Sequence, residues 1–433
     1  MFICDNLSVG ANGHLLFAGQ DTADLAARYG TPLYLMDEDR IRHNCRQYTE
    51  TFKRVFAPGS RVLYASKAAA FKQMYRIVQE EGVGVDVVSV GELYTAVRSG
   101  FDPANAYFHG NNKTDADIAF AMEQGIGHFV ADNEEELRCI DAQAAAKGIR
   151  QKVLLRLTPG IDTHTYEAVN TGLVDSKFGQ AIETGQAEAI TALTLGLKNI
   201  ELEGFHCHVG SQVFAEDVFE RSAVIMLEFM ARIRAKYGYT ALVLDLGGGY
   251  GVRYVEDDPA VDIPQKLRDV AEAVNAACAR LDYPVPAIVM EPGRSIVADA
   301  GLTLYRVGTV KRIPGYKNYV SVDGGMTDNP RFALYRSRYT CLPAERMNAA
   351  RGMECSVVGR CCESGDIIQE HVAMPEDMHR GELLAVCTTG AYNYSMASNY
   401  NRIARPPVVM LRTGESYVAV RRETIEDMAA LDI

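Results

Sequence analysis

The chain has 433 residues, 48% hydrophobic and 23% charged, which are the proportions of a folded protein and exclude general disorder. Its 44 basic against 56 acidic side chains give a formal net charge of −12, so a phosphate backbone is a poor electrostatic partner and nucleic acid is not expected. No run approaches the roughly 18 continuous apolar residues of a membrane span. Asp5 also arrives too early for the apolar region of a signal peptide. The ten cysteines contain no C-x-x-C pair, which argues against zinc ribbons and thioredoxin-like chemistry. They are expected as reduced core residues of a soluble cytoplasmic protein.

In chain order, residues 1–30 hold a β-like Leu15-Leu-Phe-Ala and a helical Thr22–Tyr29. Eight short apolar runs follow. They are Val62-Leu-Tyr-Ala-Ser, Val83-Gly-Val-Asp-Val-Val-Ser, Ala106-Tyr-Phe-His, His128-Phe-Val-Ala-Asp, Val153-Leu-Leu-Arg-Leu, Leu202-Glu-Gly-Phe-His-Cys-His, Leu242-Val-Leu-Asp-Leu and Ala287-Ile-Val-Met-Glu. Helical composition separates them, and the stretches Asp115–Gln124 and Asn133–Lys147 begin with acidic first turns, as crossover helices do. Eight strand–helix units are the number that closes a (β/α)8 TIM-type barrel; a doubly wound open sheet is the competing reading. After Gly301 the pattern changes to β-like runs divided by Gly, Pro and Asn: Leu302–Ile313, Asn318–Val322, Cys355–Gly359, Leu383–Thr388 and Val408–Leu411. The expected organisation is α/β: a barrel over residues 31–300, and a mainly antiparallel β domain from residues 1–30 and 301–433.

Nearly every barrel run ends in a residue with chemistry to offer: Lys67, Asp86, His109, Asp132, Arg156, His208, Gly247–Gly249 and Glu291. Barrel enzymes build their sites at these strand ends. Lys67, among small residues after a buried run, is either a desolvated amine able to form a Schiff base or a solvated strand cap. His206 and His208, two apart on a strand, are a metal pair, an imidazole set against a planar cofactor, or core histidines. The metal reading needs further imidazoles, for which His109 and His128 are the nearest candidates, and no acidic partner completes the set. Gly247-Gly-Gly lies after the seventh strand, where this architecture commonly seats phosphate, although a tight turn would also use glycines. Glu291-Pro-Gly293-Arg294 offers an acid for a cationic ring nitrogen and an arginine for a phosphate, or a plain surface ion pair. A phosphate seat, a lysine and this acid together suit pyridoxal phosphate.

These motifs occur in order with Asp86-Val-Val-Ser-Val-Gly-Glu92, Lys177-Phe-Gly179, Cys362-Glu-Ser-Gly-Asp366 and Gly390-Ala-Tyr392. As a set they resemble the fold type III, alanine racemase-like, pyridoxal-phosphate-dependent decarboxylases along most of the chain. The resemblance implies Lys67 as the Schiff-base lysine and Cys362 as the proton donor. It implies a cofactor held by Lys67, Asp86, His208, Ser211, Gly247, Gly248, Gly249, Glu291, Gly293, Arg294 and Tyr392. Arg294, Arg331, Tyr335, Glu363 and Tyr392 would bind substrate. The implied reaction is decarboxylation of meso-2,6-diaminopimelate to L-lysine in amino-acid biosynthesis, with sites shared between the subunits of a homodimer and no metal. Sister enzymes acting on ornithine, arginine or a carboxypolyamine are the alternative within the family. A metal-dependent barrel hydrolase using His206 and His208 is the alternative outside it. The chain departs from the family pattern at Phe332, Arg360 and Asn393, each a place where the substrate pocket can differ.

Overall fold

The structure is a computed structural model that describes residues 2–161 and 176–433. It divides into two compact units, Asn44–Gly251 with Val261–Ser295, and Met1–His43 with Val252–Ala260 and Ile296–Ile433.

The first unit is a closed barrel of eight parallel strands, Arg61–Ala65, Gly84–Val87, Ala106–Phe108, His128–Ala131, Gln151–Thr158, Ile200–His206, Val243–Asp245 and Ala287–Met290. The last strand pairs with the first through Val289↔Arg61 and Met290↔Val62, which closes the ring. All eight overlap the apolar runs of the sequence, so the barrel replaces the open-sheet alternative. Leu63, Tyr107, Val130, Leu154 and Val289 form a buried cluster contributed by five of the strands. The crossover helices start where the sequence supplies caps. Thr114 and Asp117 form a reciprocal capping box before Asp115–Glu123, and Asn133 caps Glu134–Lys147, which ends at Gly148 in the left-handed conformation. Gly204 marks a bulge in the sixth strand, where a Cβ would lie 1.8 Å from the carbonyl oxygen of Val243. No side chain other than hydrogen fits that approach.

The second unit is built around a nine-stranded sheet whose longest strand is Gly301–Ile313. Its pairings are mostly antiparallel, with two parallel exceptions, Lys317–Val322 beside Met353–Val358 and Val408–Arg412 beside Leu33–Asp37. Two placements differ from the sequence reading. The strand Leu33–Asp37, read as part of the barrel region, pairs with Gly301–Ile313 and Val408–Arg412, and all five of its residues are buried. Residues 31–43 and 252–260 therefore cluster with the β unit. Leu15–Phe17 does not extend the large sheet; it joins Leu7–Val9 and Gln20–Asp21 in a separate three-stranded sheet. Its apolar side chains Leu15 and Phe17 nevertheless share a core with Leu33, Leu302, Leu383 and Val409. Among the described residues no helix is long and apolar enough to cross a membrane.

Candidate active site

The barrel's strand ends bring one set of the expected residues together. Lys67 lies in a single 3-10 turn, Ser66–Ala68, directly after the first strand. Its side chain is exposed while Ala65, Ser66 and Ala68 are buried, which is the solvated of the two readings the sequence allowed. Its positive charge reaches Asp86, Glu92 and His208. Burial raises the Asp86 carboxyl, and nearby His109 and Lys67 pull against that rise. Glu92, desolvated and facing the charge of Asp86, is pushed up to about 7.

Three loops meet backbone against backbone. Gly247 donates from its N–H to Asp245 Oδ1 at 2.8 Å, and the N–H of Glu291 donates to the carbonyl of Gly247 at 2.9 Å. A Cβ on Gly248 would come within 2.1 Å of the Glu291 carbonyl oxygen, and one on Gly249 within 2.3 Å of that of Gly210. Gly293 is pressed in the same way against Ala65 and Ala68. Ser211 accepts from Arg294 Nη2 at 2.8 Å, and the Arg294 side chain is buried. A glycine backbone free of side chains, a hydroxyl and a guanidinium are the donor set that a phosphate requires.

His206 and His208, expected to act on one side, go to different places. His208 Nδ1 accepts from the N–H of Gly248 at 3.3 Å, and burial with the charges of Lys67 and Arg156 holds this imidazole well below its usual value. His206 is fully buried, with Nε2 3.3 Å from Glu291 Oε2, and His109 Nε2 lies 2.6 Å from Glu291 Oε1. The two imidazoles meet edge to face at 4.9 Å. Burial brings His206 down to about 4. Burial alone would raise Glu291, but His109 and His206 outweigh it and keep the carboxylate ionised. Asp245, desolvated beside that anion, has its carboxyl raised. The two buried carboxyls are thus shifted in opposite directions, as neighbouring buried acids are.

These geometries alter the metal reading. His128 is absent from the cluster; its Nε2 pairs with Glu203 at 2.8 Å and its ring stacks on Tyr107. The acidic partners missing from the sequence reading are present, because ligand atoms of His109, His206, Asp245 and Glu291 lie within 4.8 Å of one another. Asp245 closes the strand Val243–Asp245 but carries no signal in the sequence, because the apolar run continues through Leu246.

The remaining expected residues belong to the β unit. Arg331 opens a short helix, Arg331–Tyr335. The residue is 6% exposed, and its guanidinium carbon sits 5.8 Å from the ring centres of Tyr254 and Tyr335 and 5.2 Å from that of Tyr392. Nη1 donates to Tyr254 Oη at 3.3 Å and Nη2 to Ser337 Oγ at 3.2 Å. Among the described residues it meets no carboxylate. Tyr392 holds φ of 71°, a left-handed conformation that a side-chain-bearing residue rarely adopts.

Cys362 and Glu363 occupy a different, exposed loop. Asp366, which the sequence reading included only as a motif letter, organises it. Its Oδ1 accepts from the N–H of Met326 at 2.6 Å and its Oδ2 from that of Cys361 at 2.7 Å. Gly325 and Gly359 leave room for this carboxylate, since a Cβ on either would lie within 2.5 Å of it. The N–H of Cys362 is held by Asn401 Oδ1 at 2.7 Å.

The barrel fold with this lysine, glycine cradle and anionic Glu291 defines a class of pyridoxal-phosphate enzyme. The family model described as "Pyridoxal-dependent decarboxylase, pyridoxal binding domain" matches residues 38–298, and the chain belongs to this family of pyridoxal-phosphate-dependent lyases. Among its relatives, diaminopimelate decarboxylase of Bacillus subtilis is 43% identical over 435 residues, covering 100% of this chain and 98% of that protein. The diaminopimelate decarboxylase of Staphylococcus aureus is 41% identical, covering 97% of this chain and 98% of that protein. The crystal structure of diaminopimelate decarboxylase from M. jannaschii in complex with L-lysine superposes with a TM-score of 0.91 at 32% identity, covering 100% and 99% of the two chains.

Proposed function

We propose that the chain decarboxylates meso-2,6-diaminopimelate to L-lysine with pyridoxal phosphate held at the mouth of the barrel. Lys67 Nζ would hold the cofactor covalently. Ser211, Gly247–Gly249, Gly293, Arg294 and Tyr392 would bind its phosphate, His208 would lie against its ring, and Asp86 would line the same cleft. Glu291 would face the ring nitrogen. The group, when bound, supplies an electron sink for the pair left by the departing carboxylate. An ionised Glu291 keeps a cationic ring nitrogen in place, and two buried histidines maintain that ionisation.

The observation that carries the substrate is Arg331, a buried guanidinium caged by tyrosines and lacking a carboxylate partner among the described residues. Diaminopimelate has a second amino-acid head group, whose carboxylate Arg331 would bind while Glu363 takes its ammonium and Tyr335 lines the seat. Ornithine offers no distal carboxylate. The test is a visible spectrum followed by carbon dioxide release from diaminopimelate, ornithine, arginine and a carboxypolyamine. Diaminopimelate alone should turn over; release from ornithine at a similar rate would replace this reading with that of a sister enzyme.

Cys362 would return a proton to the carbon that loses its carboxylate. Its exposure within its own chain supports a homodimer in which one subunit lends this loop to the other. Lys67→Ala and Cys362→Ala should each be almost inactive. Mixed and allowed to exchange subunits, they should recover up to about a quarter of normal activity, because half the dimers are mixed and each has one intact site. A mixture that exchanges and stays inactive would place Cys362 within its own site. A biosynthetic reaction of this kind supports a cytoplasmic location.

A further inference from the structure

Arg331 does not hold its position by itself, and the residues that brace it include one of the chain's departures from the family pattern. Tyr254 belongs to Val252–Ala260, the segment that follows the glycine loop in sequence but folds with the β unit. Its backbone is pinned twice: the N–H donates to Asp258 Oδ2 at 2.9 Å, and the carbonyl accepts from Thr340 Oγ1 at 2.8 Å. Asp258 in turn pairs with Arg338 at 3.1 Å. The Tyr254 hydroxyl, fixed by this backbone, receives Arg331 Nη1. Behind it, the Tyr339 ring meets the Tyr254 ring edge to face at 5.4 Å and an interplanar angle of 87°. The Tyr339 hydroxyl donates to Asn393 Oδ1 at 3.2 Å, and both residues are buried. Asn393, one of the chain's departures from the family pattern, thus contributes a buried hydrogen-bonding side chain to the brace.

We propose that Tyr254, backed by Tyr339 and Asn393, is a positioning residue that sets the Arg331 guanidinium to receive the substrate's distal carboxylate, and so determines specificity for substrates with an amino-acid head group at the far end. This rests on the diaminopimelate reading. A planar guanidinium binds a carboxylate through two parallel bonds only when its plane is fixed, and a long flexible arginine in a tyrosine cage needs such a brace. The bond from Nη1 to a neutral hydroxyl leaves the positive charge for the ligand, whereas a carboxylate in the place of Tyr254 would compete with it.

The test compares two inhibitors of diaminopimelate turnover, L-lysine, which retains one α-carboxylate, and cadaverine, which has none. In the unaltered holoenzyme L-lysine should inhibit far better than cadaverine. In Tyr254→Phe the inhibition constant for L-lysine should rise about tenfold, as expected for loss of a hydrogen bond involving a charged group. The constant for cadaverine, kcat and the visible spectrum of the bound cofactor should each change by less than about twofold, because the reacting centre is untouched. Tyr339→Phe should shift the same ratio in the same direction by less. If the unaltered enzyme prefers lysine and both variants keep that preference intact, the brace is overturned while the substrate reading stands. If lysine and cadaverine inhibit the unaltered enzyme equally, the substrate reading falls and the brace falls with it.

Discussion

Glu291 in the barrel and Arg331 in the β unit are both charges taken out of water, and the chain treats them in opposite ways. Glu291 is given two imidazoles, at 2.6 and 3.3 Å, and its charge is answered within the protein. Arg331 is given hydroxyls and aromatic faces, which stabilise a cation without neutralising it. A buried anion flanked by two imidazoles is a fixed part of the site's electrostatics. A buried charge caged by neutral groups is a receptor for an ion from outside. On the proposed function the barrel mouth would govern the chemistry and the β unit the choice of substrate, so the two should be separable by mutation.

The largest effect should come from Lys67, the lysine at the cleft. Lys67→Ala should lose all detectable turnover and the absorbance near ~420 nm expected when the cofactor is bound to a lysine. A borohydride-reducible linkage remaining on another lysine would refute the assignment. Arg331→Ala comes next. It leaves the distal carboxylate without its partner, a loss on the order of 2–5 kcal/mol. That loss should appear in KM for diaminopimelate, with bound cofactor unchanged; an unaltered KM would remove Arg331 from the substrate site. Glu291→Gln should show the converse signature. Removing one preorganised electrostatic partner of the reacting centre costs about 10²–10³-fold in kcat. KM should move little, and a rise in KM with kcat intact would erase the distinction between the two charges.

The barrel half of this comparison was legible in the sequence because parallel strands buried on both faces are continuous apolar runs. A polar residue closing each run is therefore conspicuous, as at Lys67, His109 and Glu291. Asp245 was not, since it lies within its run, and the separate destinations of His206 and His208 follow from a strand that ends at His206. The β unit was read less fully for a physical reason. Its decisive features are made by residues far apart in sequence, such as Leu33–Asp37 between strands near residues 301 and 408, or Tyr254 against Arg331. Local pattern carries no information about such pairings. The motif letters around Cys362 were recognisable by resemblance, but the use of Asp366 as the clasp of that loop depends on Gly325, which is about 40 residues distant.

The smallest effect predicted here is one of pH, and it comes from the same clasp region. Asp328 is 1% exposed; its Oδ2 accepts from the N–H of Gly325 at 2.9 Å, its Oδ1 accepts from the Tyr305 hydroxyl, and its carbonyl accepts from Tyr34 Oη at 2.6 Å. Burial pushes its carboxyl from the ordinary 3.8 up to about 7, with Asp366 and Asp323 adding to the rise against the two hydrogen bonds. A carboxyl raised by folding prefers its proton in the native state. Its contribution to stability is complete below its unfolded value and is lost as pH rises through about 7. Asp328→Asn keeps a carbonyl to accept from Gly325 but cannot ionise. At constant ionic strength, thermal unfolding of the unaltered protein should therefore decline more steeply between about pH 4 and about 7 than that of the variant, by a few °C. Parallel profiles would show that Asp328 titrates alike in both states. A steeper decline in the unaltered protein would mean that the fold disfavours the Asp328 carboxylate, so that ionising it near neutrality costs stability three residues before the buried cation of Arg331.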